Sequence, residues 1–411
     1  VNYALDNNMS VKKSELTIKL RNEDVVSRKG NLYPRISASA SQNLNLGSAQ
    51  DRVTFQRVNA TNHSTSIGVN AGITVFNGFR IINQHEQAKI GFEASKYDLD
   101  KLKDDISLMV VNSYLNVLFN KENLKIAQSQ IEISQKQVDQ ISKLVEAGVQ
   151  PRSNLLEAEA NLANDEQKVV AAQNSLDLAL LNLTQTLQLD YVGFEIENIE
   201  VGEPSELLMY AEALPIYNMA LSNRGEIKSA ELNVESAAKG IDIAKSGFLP
   251  SLSLNYNFGT AASFVEIASN KAFFYQLDDN KSHSFSLSLN VPIFSGFQVK
   301  SNVNSAKITH EISLFNLEDS KIQLREIIER AFMDAKAALK TFAAAKKNVI
   351  AQNESFKNSQ ESYNLGVMTS FDFEQVKNRL LNAQSSLINA KYDFVFRTKV
   401  LDFYAGKSLM D

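Results

Sequence analysis

The chain repeats itself once along its length, and this repeat constrains the fold more than any other feature of the sequence. Four pairs of short motifs occur in the same order and at nearly the same separation: "ALDNN" at Ala4 and "ALSNR" at Ala220, "NLYPRIS" around Pro34 and "GFLPSLS" around Pro250, "VFNGFR" around Gly78 and "IFSGFQ" around Gly296, "EAGVQPRSNL" around Gly148 and "NLGVMTSFDF" around Gly366. A repeat of this kind means that one structural unit occurs twice. The sequence therefore predicts two copies of the same set of elements, over residues 1–205 and 206–411.

Apolar residues recur every seven positions between the glycine motifs. In the first copy they are Leu124, Ile131, Val138 and Val145, then Leu155, Leu162, Val169, Leu176 and Leu183. At the matching positions of the second copy they are Phe342, Val349, Phe356 and Tyr363, then Phe373, Leu380, Leu387, Phe394 and Leu401. This period is typical of helices that pack as coiled coils. We therefore predict long helix pairs over 79–188 and 297–400, each folded back at its glycine.

Length argues against a compact helical bundle, which has the same apolar period. If the whole segment from Gly78 to Gly148 formed one continuous helix, that helix would extend for roughly 105 Å. This is much longer than the helices of an ordinary globular domain. The sequence therefore predicts long, thin helical hairpins.

Apolar and polar residues alternate in four shorter stretches. The apolar positions are Ile36, Ala38 and Ala40; Ile67, Val69, Ala71, Ile73 and Val75; Leu252, Leu254, Tyr256 and Phe258; and Phe285, Leu287, Leu289 and Val291. Serine, asparagine, glycine and threonine occupy the alternate positions, with almost no charge. Runs of about ten residues with this pattern are typical of membrane barrels, although one face of a soluble antiparallel sheet alternates in the same way. We predict barrel hairpins over 34–77 and 250–295, with long polar loops at 45–63 and 260–283.

Four strands are too few to close a barrel. An open sheet edge in lipid would leave backbone groups without hydrogen-bond partners. If the strands cross a membrane, the chain must therefore form an oligomer, with eight strands from two copies or twelve from three.

Composition excludes several classes of function. The 42 basic and 47 acidic residues give a net charge of -5 without a basic run, so no nucleic-acid partner is expected. The chain has no cysteine, and its four histidines (His63, His85, His283 and His310) lack metal-ligand spacing, so we expect them to be surface residues. We find no phosphate-binding glycine loop and no nucleophile with a base, and therefore predict no enzyme activity, no cofactor and no metal.

The motifs together resemble one known family. The strand ends "ITVFNGFR" and "VPIFSGFQ", the turns "AGVQPRSNLLEAEANL" and "LGVMTSFDFEQVKNRL", and the early "YALDNN" are similar to those of TolC-type outer-membrane efflux channels, the outer membrane factors. The resemblance covers essentially the whole chain. It implies a mainly α-helical fold with a membrane β-barrel part: a homotrimer with a twelve-stranded barrel in outer-membrane lipid and a twelve-helix periplasmic tunnel. Residues 189–215 and 401–411 would form an equatorial belt around that tunnel.

The resemblance also implies a function. The chain would be a passive exit duct of a tripartite efflux or secretion system in the bacterial outer membrane, extending into the periplasm. A periplasmic adaptor, or membrane fusion protein, and an inner-membrane pump would open it at its helical tip. Drug efflux and protein secretion both stay open, and the residues alone also allow a soluble or surface-bound coiled-coil scaffold.

The family places its gate at the closed helical tip, and some of its residues match this chain. Tyr363 and Asp372 match a tyrosine and an aspartate at that tip, so three copies of Asp372 would form a carboxylate ring that favours cations. The alternative for Asp372 is an N-cap or first-turn residue of the returning helix. Gln375 stands where a second aspartate is expected.

The family's gate-locking ion pair is absent in its usual form. Met368 and Asn154 occupy the positions of the arginine and the aspartate that form it, and Arg152 is a candidate replacement. Because Arg152 and Asn154 lie on the first turn, and Tyr363 and Asp372 on the second, we expect the lock between the two turns.

The resemblance assigns a second role to the same turns. The adaptor would dock on Gly148, Val149, Gly366, Val367 and Thr369. As local structure, both glycines are expected to end a helix with a positive φ.

Overall fold

The structure is a computed structural model that describes residues 1–50, 55, 57–197, 208–265 and 271–407. Its helices are α1 (Asn2–Asn7), α2 (Met9–Gly30), α3 (Arg80–Glu146), α4 (Arg152–Leu187), α5 (Ala213–Asn223), α6 (Gly225–Lys245), α7 (Phe273–Asp279), α8 (Gln298–Asn364) and α9 (Ser370–Tyr404). Its strands are β1 (Arg35–Gln50), β2 (Arg57–Phe76), β3 (Ser251–Val265) and β4 (Ser282–Asn290). Each half of the chain thus contains, in the same order, two helices, two strands and two long helices. The helix α7 is the one described α-helix outside this pattern.

The chain divides into two compact units, each containing parts of both repeats. The first comprises Val1–Leu16, Tyr97–Lys228 and Glu318–Asp411, and the second comprises Thr17–Lys96 and Ser229–Leu317. The first contains helical hairpins, and the second contains the sheet. Parts of the predicted belt, residues 198–207 and 408–411, lie outside the described residues.

The first unit has a separate apolar core in each helical hairpin. In the first hairpin Val117 and Leu124 on α3 pack with Leu176, Ala179 and Leu183 on α4. In the second hairpin Ala338 and Phe342 on α8 pack with Ala390 and Phe394 on α9, and the two phenylalanine rings stack with centroids 6.2 Å apart. The seven-residue period had selected five of these residues: Leu124, Leu176, Leu183, Phe342 and Phe394. The prediction of paired long helices is therefore confirmed.

Both hairpins turn at a glycine, as the sequence predicts. Gly148 and Gly366 have φ values of +71° and +75°. The next N–H, of Val149 or Val367, donates a 2.9 Å hydrogen bond back to the carbonyl of Leu144 or Ser362. This Schellman arrangement satisfies the last carbonyls of the outgoing helix.

The second unit contains one antiparallel sheet in the order β1-β2-β3-β4. Its register aligns apolar residues from all four strands in rows, such as Ile36, Ala71, Tyr256 and Phe285. Polar residues align in the neighbouring row of Ser37, Asn70, Asn257 and Ser284. Because side chains alternate across a strand, these rows lie on opposite faces. The predicted alternation therefore produces one apolar and one polar face.

The strands are longer than predicted, and the prediction of a loop over all of 45–63 is wrong. β1 has 16 residues and β2 has 20, so pairing continues through 45–50 and 57–63. Backbone hydrogen bonds extend this ladder regardless of side-chain polarity, and polar side chains there also find partners: the Ser263 hydroxyl of β3 donates to the Asn62 side-chain oxygen at 3.0 Å. Residues 51–54 and 56 of the predicted loop lie outside the described residues.

The prediction of a loop over all of 260–283 is also wrong, because β3 continues to Val265 and the helix α7 lies in this segment. Residues 266–270 of the predicted loop lie outside the described residues. β4 starts opposite Gly259, so the rest of β3 has no β4 partner on that side. The Ser263 N–H donates to the Gln276 side chain at 2.8 Å, and the Asn280 amide donates to the Ala261 carbonyl at 2.6 Å. α7 and its following turn therefore cover the part of the β3 edge that β4 leaves open.

The two strand-to-helix junctions share one unusual backbone conformation. At the first, Gly78 and Phe79 both have φ of +65°, and at the second, Gly296 and Phe297 have φ of +59° and +65°. A phenylalanine rarely adopts this left-handed conformation. Its ring contacts another phenylalanine edge-on in both copies, with centroid distances of 5.4 and 5.6 Å.

None of the helices that the structure describes carries an apolar stretch long enough to cross a bilayer.

Candidate gate at the helical turns

The two turns present apolar side chains to solvent. Val149 is 68% exposed and Val367 is 81% exposed, and Leu365 beside the second turn is 79% exposed. Gly148, Gly366 and Thr369 are also exposed. The predicted docking residues therefore lie at the surface of the first unit.

Asp372 lies in the first turn of α9 and is part of that helix's cap. The Thr369 hydroxyl accepts a 3.2 Å hydrogen bond from the Asp372 N–H and donates to the Asp372 carboxylate at 2.6 Å. A carboxylate at the positive end of the helix dipole is also favoured electrostatically. The structural role named as the alternative for Asp372 is present, while its place in a carboxylate ring stays a prediction.

Tyr363 is held within its own hairpin. Its ring stacks on Phe373 with centroids 4.7 Å apart, and its hydroxyl lies 3.4 Å from the Ser370 hydroxyl. These contacts join the end of α8 to the start of α9.

Two of the remaining predicted gate residues, Asn154 and Gln375, have partners within their own hairpins. The Asn154 amide lies 3.5 Å from the Gln150 side-chain oxygen, and Gln375 accepts from Arg379 at 3.2 Å. Arg152 is exposed. Among the described residues of one chain, no hydrogen bond or ion pair joins either first-turn residue, Arg152 or Asn154, to Tyr363 or Asp372. The expected lock between the two turns stays a prediction.

A buried charge cluster instead links the hairpins farther from the turns. The Lys377 ammonium on α9 donates to the Ser134 hydroxyl on α3 at 2.9 Å and lies 3.2 Å from the Asp165 carboxylate on α4. It also pairs with Glu374 on its own helix at 2.9 Å. The side chain of Lys377 is only 1% exposed, and that of Asp165 is 4% exposed.

Several groups of the cluster donate hydrogen bonds to the Asp165 carboxylate. It accepts hydrogen bonds from Ser134 at 2.5 Å and from Lys168 at 2.8 Å. Burial by itself raises the pKa of the Asp165 carboxyl, but the hydrogen bonds from Lys168 and Ser134 and the charge of Lys377 outweigh burial and lower the pKa below its ordinary value. The charged form is therefore the stable one in the fold.

Breaking a buried ion pair of this kind costs more free energy than breaking an exposed one. Removing one partner from a buried ion pair costs about 3–5 kcal/mol, because the other charge is left uncompensated. An exposed ion pair is worth roughly 0–1 kcal/mol. The Lys377 cluster is therefore a stronger link than the exposed polar contacts at the turns.

Sequence reasoning missed this cluster, although a signal was present. Ser134 and Asp165 each follow a seven-residue-period position, Ile131 and Leu162, by three residues. In a coiled coil that offset is a second core position. A serine and an aspartate there indicate a buried polar partner, but the partner, Lys377, lies on the other hairpin and is not visible from one hairpin's pattern.

A second charged cluster holds the end of α9. The buried Arg224 side chain lies 3.2 Å from Asp104 and 3.3 Å from Glu226. Its guanidinium covers the Phe403 ring at 4.3 Å and the Tyr404 ring at 5.2 Å. Burial raises the pKa of the Asp104 carboxyl despite the nearby arginine. This cluster fixes the C-terminal end of α9 within the first unit.

None of the four histidines is buried, but they differ in exposure. His63 and His283 are exposed, but His85 and His310 are half-buried. Both half-buried histidines lie on long helices, His85 on α3 and His310 on α8. In the part of the chain that the structure describes, no cluster of histidine and acidic residues could hold a metal ion.

Comparison with known proteins identifies the architecture. The family described as outer membrane efflux protein matches residues 1–187 and 216–407, which include both helical hairpins and all four strands. The chain belongs to this family. The resemblance inferred from the motifs is confirmed, and the scaffold alternative is not supported.

Individual relatives agree with this family assignment. The outer membrane protein TolC of Escherichia coli is 24% identical over 82% of this chain and 68% of the relative. The alkaline protease secretion protein AprF of Pseudomonas aeruginosa is 22% identical over 74% of this chain and 61% of the relative. The toxin and drug export protein A of Aggregatibacter actinomycetemcomitans is 20% identical over 96% of this chain and 82% of the relative. The relatives thus include proteins named for drug export and proteins named for protein secretion.

Solved structures show the same fold. CusC superposes with a TM-score of 0.85 at 18% identity, covering 99% of this chain and 91% of that one. VceC of Vibrio cholerae superposes with a TM-score of 0.81 at 17% identity, covering 99% of this chain and 95% of that one.

The protein is an outer-membrane exit channel that extends into the periplasm, and not an enzyme. Channels of this family are the outer-membrane components of systems with an adaptor and a pump.

Proposed function

We propose that three copies of this chain form one duct, with a twelve-stranded barrel in outer-membrane lipid and a twelve-helix tunnel in the periplasm. The observation that carries this proposal is the two-faced sheet with two free edges. β1 and β4 are the outer strands of the four-stranded sheet, so each has one side without a strand partner among the described residues. Pairing β4 of one copy with β1 of the next would close the ring and satisfy both edges.

The two faces suit the two sides of such a barrel. The apolar face, with Phe285, Leu287 and Leu289 exposed on β4, would contact lipid. The polar face, mainly of serine, asparagine and glycine, would line the aqueous channel.

The exposed turns suit a docking role. Val149 and Val367 stand at equivalent positions of the two copies, and each directly follows a glycine with positive φ. The same turn geometry occurs twice in the chain and, in a trimer, six times around the tip. An adaptor that recognises one turn would therefore find a ring of equivalent sites.

The gate proposal assigns Asp372 to the narrowest part of the tip. Three carboxylates around one constriction attract cations and repel anions. The cap from Thr369 fixes the direction of this carboxylate at the start of α9. The second expected ring is absent because Gln375 is neutral.

Planar-bilayer conductance of the detergent-purified oligomer tests this function. We expect a small, cation-selective conductance in the wild type, and loss of cation preference in Asp372→Asn. Asp372→Glu keeps the charge and should keep the selectivity. Unchanged selectivity in Asp372→Asn would remove Asp372 from the constriction, and a wild-type oligomer that does not conduct would contradict the duct itself.

A further inference from the structure

The Lys377 cluster divides the helical hairpins into two parts. Asp165 lies on α4, which begins at Arg152, and Lys377 lies on α9, which begins at Ser370. About two helical turns separate Lys377 from the start of its helix, and about four separate Asp165 from the start of its own. The cluster therefore lies near the turns at Gly148 and Gly366 but not in them.

The two parts differ in how strongly the hairpins are joined. At the cluster, a lysine from the second hairpin is buried against polar groups from both helices of the first, Ser134 and Asp165. Nearer the turns, the described side chains Tyr363, Asp372, Asn154 and Gln375 bond within their own hairpins. The polar contacts that join the two hairpins are therefore found at the cluster, and not among these residues of the turns.

We propose that the Lys377 cluster is the fulcrum of the gate. The hairpin ends part on the turn side of the cluster, and the hairpins stay joined beyond it. Lys377 is therefore a positioning residue that sets how far opening spreads along the tunnel. This proposal rests on the proposed duct function.

The internal bonds of the cluster favour a fulcrum over a latch that opens with the gate. Lys377 has three acceptors, Ser134, Asp165 and Glu374, and Asp165 has a further donor in Lys168. Breaking the link between the hairpins would leave Lys377 with Glu374 alone. A force applied at the exposed turns would break the weaker contacts near the turns before it broke the contacts of the cluster.

The chain offers a clean test because it contains no native cysteine. Single cysteines replace buried alanines on either side of the cluster: Ala158, on the turn side of Asp165 on α4, and Ala383, beyond Lys377 on α9. Ala335, fully buried on α8, reports on general unfolding. The rate of maleimide labelling is measured in the detergent-purified oligomer, where spontaneous opening exposes each site.

We expect the Ala158→Cys site to be labelled at least tenfold faster than the Ala383→Cys site in the otherwise wild-type chain. Lys377→Met keeps most of the apolar stem but removes the ammonium group and its charge, and should raise the rate at Ala383→Cys toward that at Ala158→Cys. The Ala335→Cys rate should not change, because Lys377→Met moves the boundary of opening and does not unfold the hairpin. Lys357→Met, which removes an exposed lysine from α8, should change none of the rates.

Two results would overturn the fulcrum. Equal labelling of Ala158→Cys and Ala383→Cys in the wild-type background would mean that the hairpins separate as a whole. A slow Ala383→Cys site that stays slow in Lys377→Met would mean that other contacts set the boundary. If Lys377→Met fails to assemble, Lys377→Met with Asp165→Asn removes both charges together and gives the same comparison. Conductance of the wild-type preparation tests the duct separately, so a failed fulcrum and a failed duct give different results.

Discussion

At the scale of single residues, function depends on where polar groups are buried and how the chain turns. The sequence predicts some of these residues and not others. The turning glycines were predictable because positive φ strongly favours glycine, and Gly148 and Gly366 have it. The place of Asp372 in the first turn of α9 was predictable from the preference for acidic residues there, whereas the cap by Thr369 was not predicted. The Lys377 cluster was not, because its members come from three helices and their contact depends on how the two hairpins pack.

The junction glycines give a matched pair of residues for a stability test. A Cβ added to Gly78 would lie 2.8 Å from the Leu249 Cβ and 2.9 Å from the Ser246 carbonyl oxygen, whereas one added to Gly296 would meet nothing within 4 Å. In Gly78→Ala and in Gly296→Ala, the alanine must adopt the left-handed backbone conformation, which costs roughly 1–2 kcal/mol. Gly78→Ala adds a steric cost of about 1–3 kcal/mol.

We therefore expect Gly78→Ala to lower the thermal unfolding midpoint clearly more than Gly296→Ala, measured by circular dichroism of the purified protein. Equal midpoints for the two variants would show that the close approach of Leu249 is relieved at no cost.

At the scale of elements, periodicity predicted most of the structure. The seven-residue period located α3, α4, α8 and α9, and the two-residue alternation located the four strands. Strand ends were missed because backbone pairing does not require alternating side chains. α7 was missed because so short a helix carries too few turns for a period, and its role, covering the edge of β3, depends on where β4 begins.

The assignment of the sheet faces can be tested with a fluorescent probe, because the chain contains no tryptophan. Phe285→Trp places a single tryptophan on the apolar face, and Ser286→Trp places one on the polar face of the same strand. In vesicles, we expect brominated lipid to quench the first and not the second. Acrylamide in water should quench the second more strongly. Quenching of both by acrylamide alone would place the strand outside the bilayer.

At the scale of the whole molecule, the sequence predicted a family and the structure supplied the surfaces through which copies would join. The repeat yields two hairpins of nearly equal size, with 67 residues in both α3 and α8 and 36 and 35 residues in α4 and α9. Each copy of the repeat contributes two strands to one sheet. The number of chains in the ring did not follow from the residues, because four strands allow rings of eight or twelve.

Disulfide cross-linking between sheet edges tests the central claim, a ring of three chains closed through β1 and β4. One cysteine replaces Ser288 on β4, and a second replaces Ser37, Ser39 or Ser41 on β1, so that one pair matches the register between copies. Within a chain these edges lie three strand spacings apart, roughly 14 Å, too far for a disulfide. The account predicts a covalent ladder on denaturing gels that ends at three chains and collapses on reduction. A ladder that ends at two or four chains, or no interchain link from any of the three pairs, would contradict it.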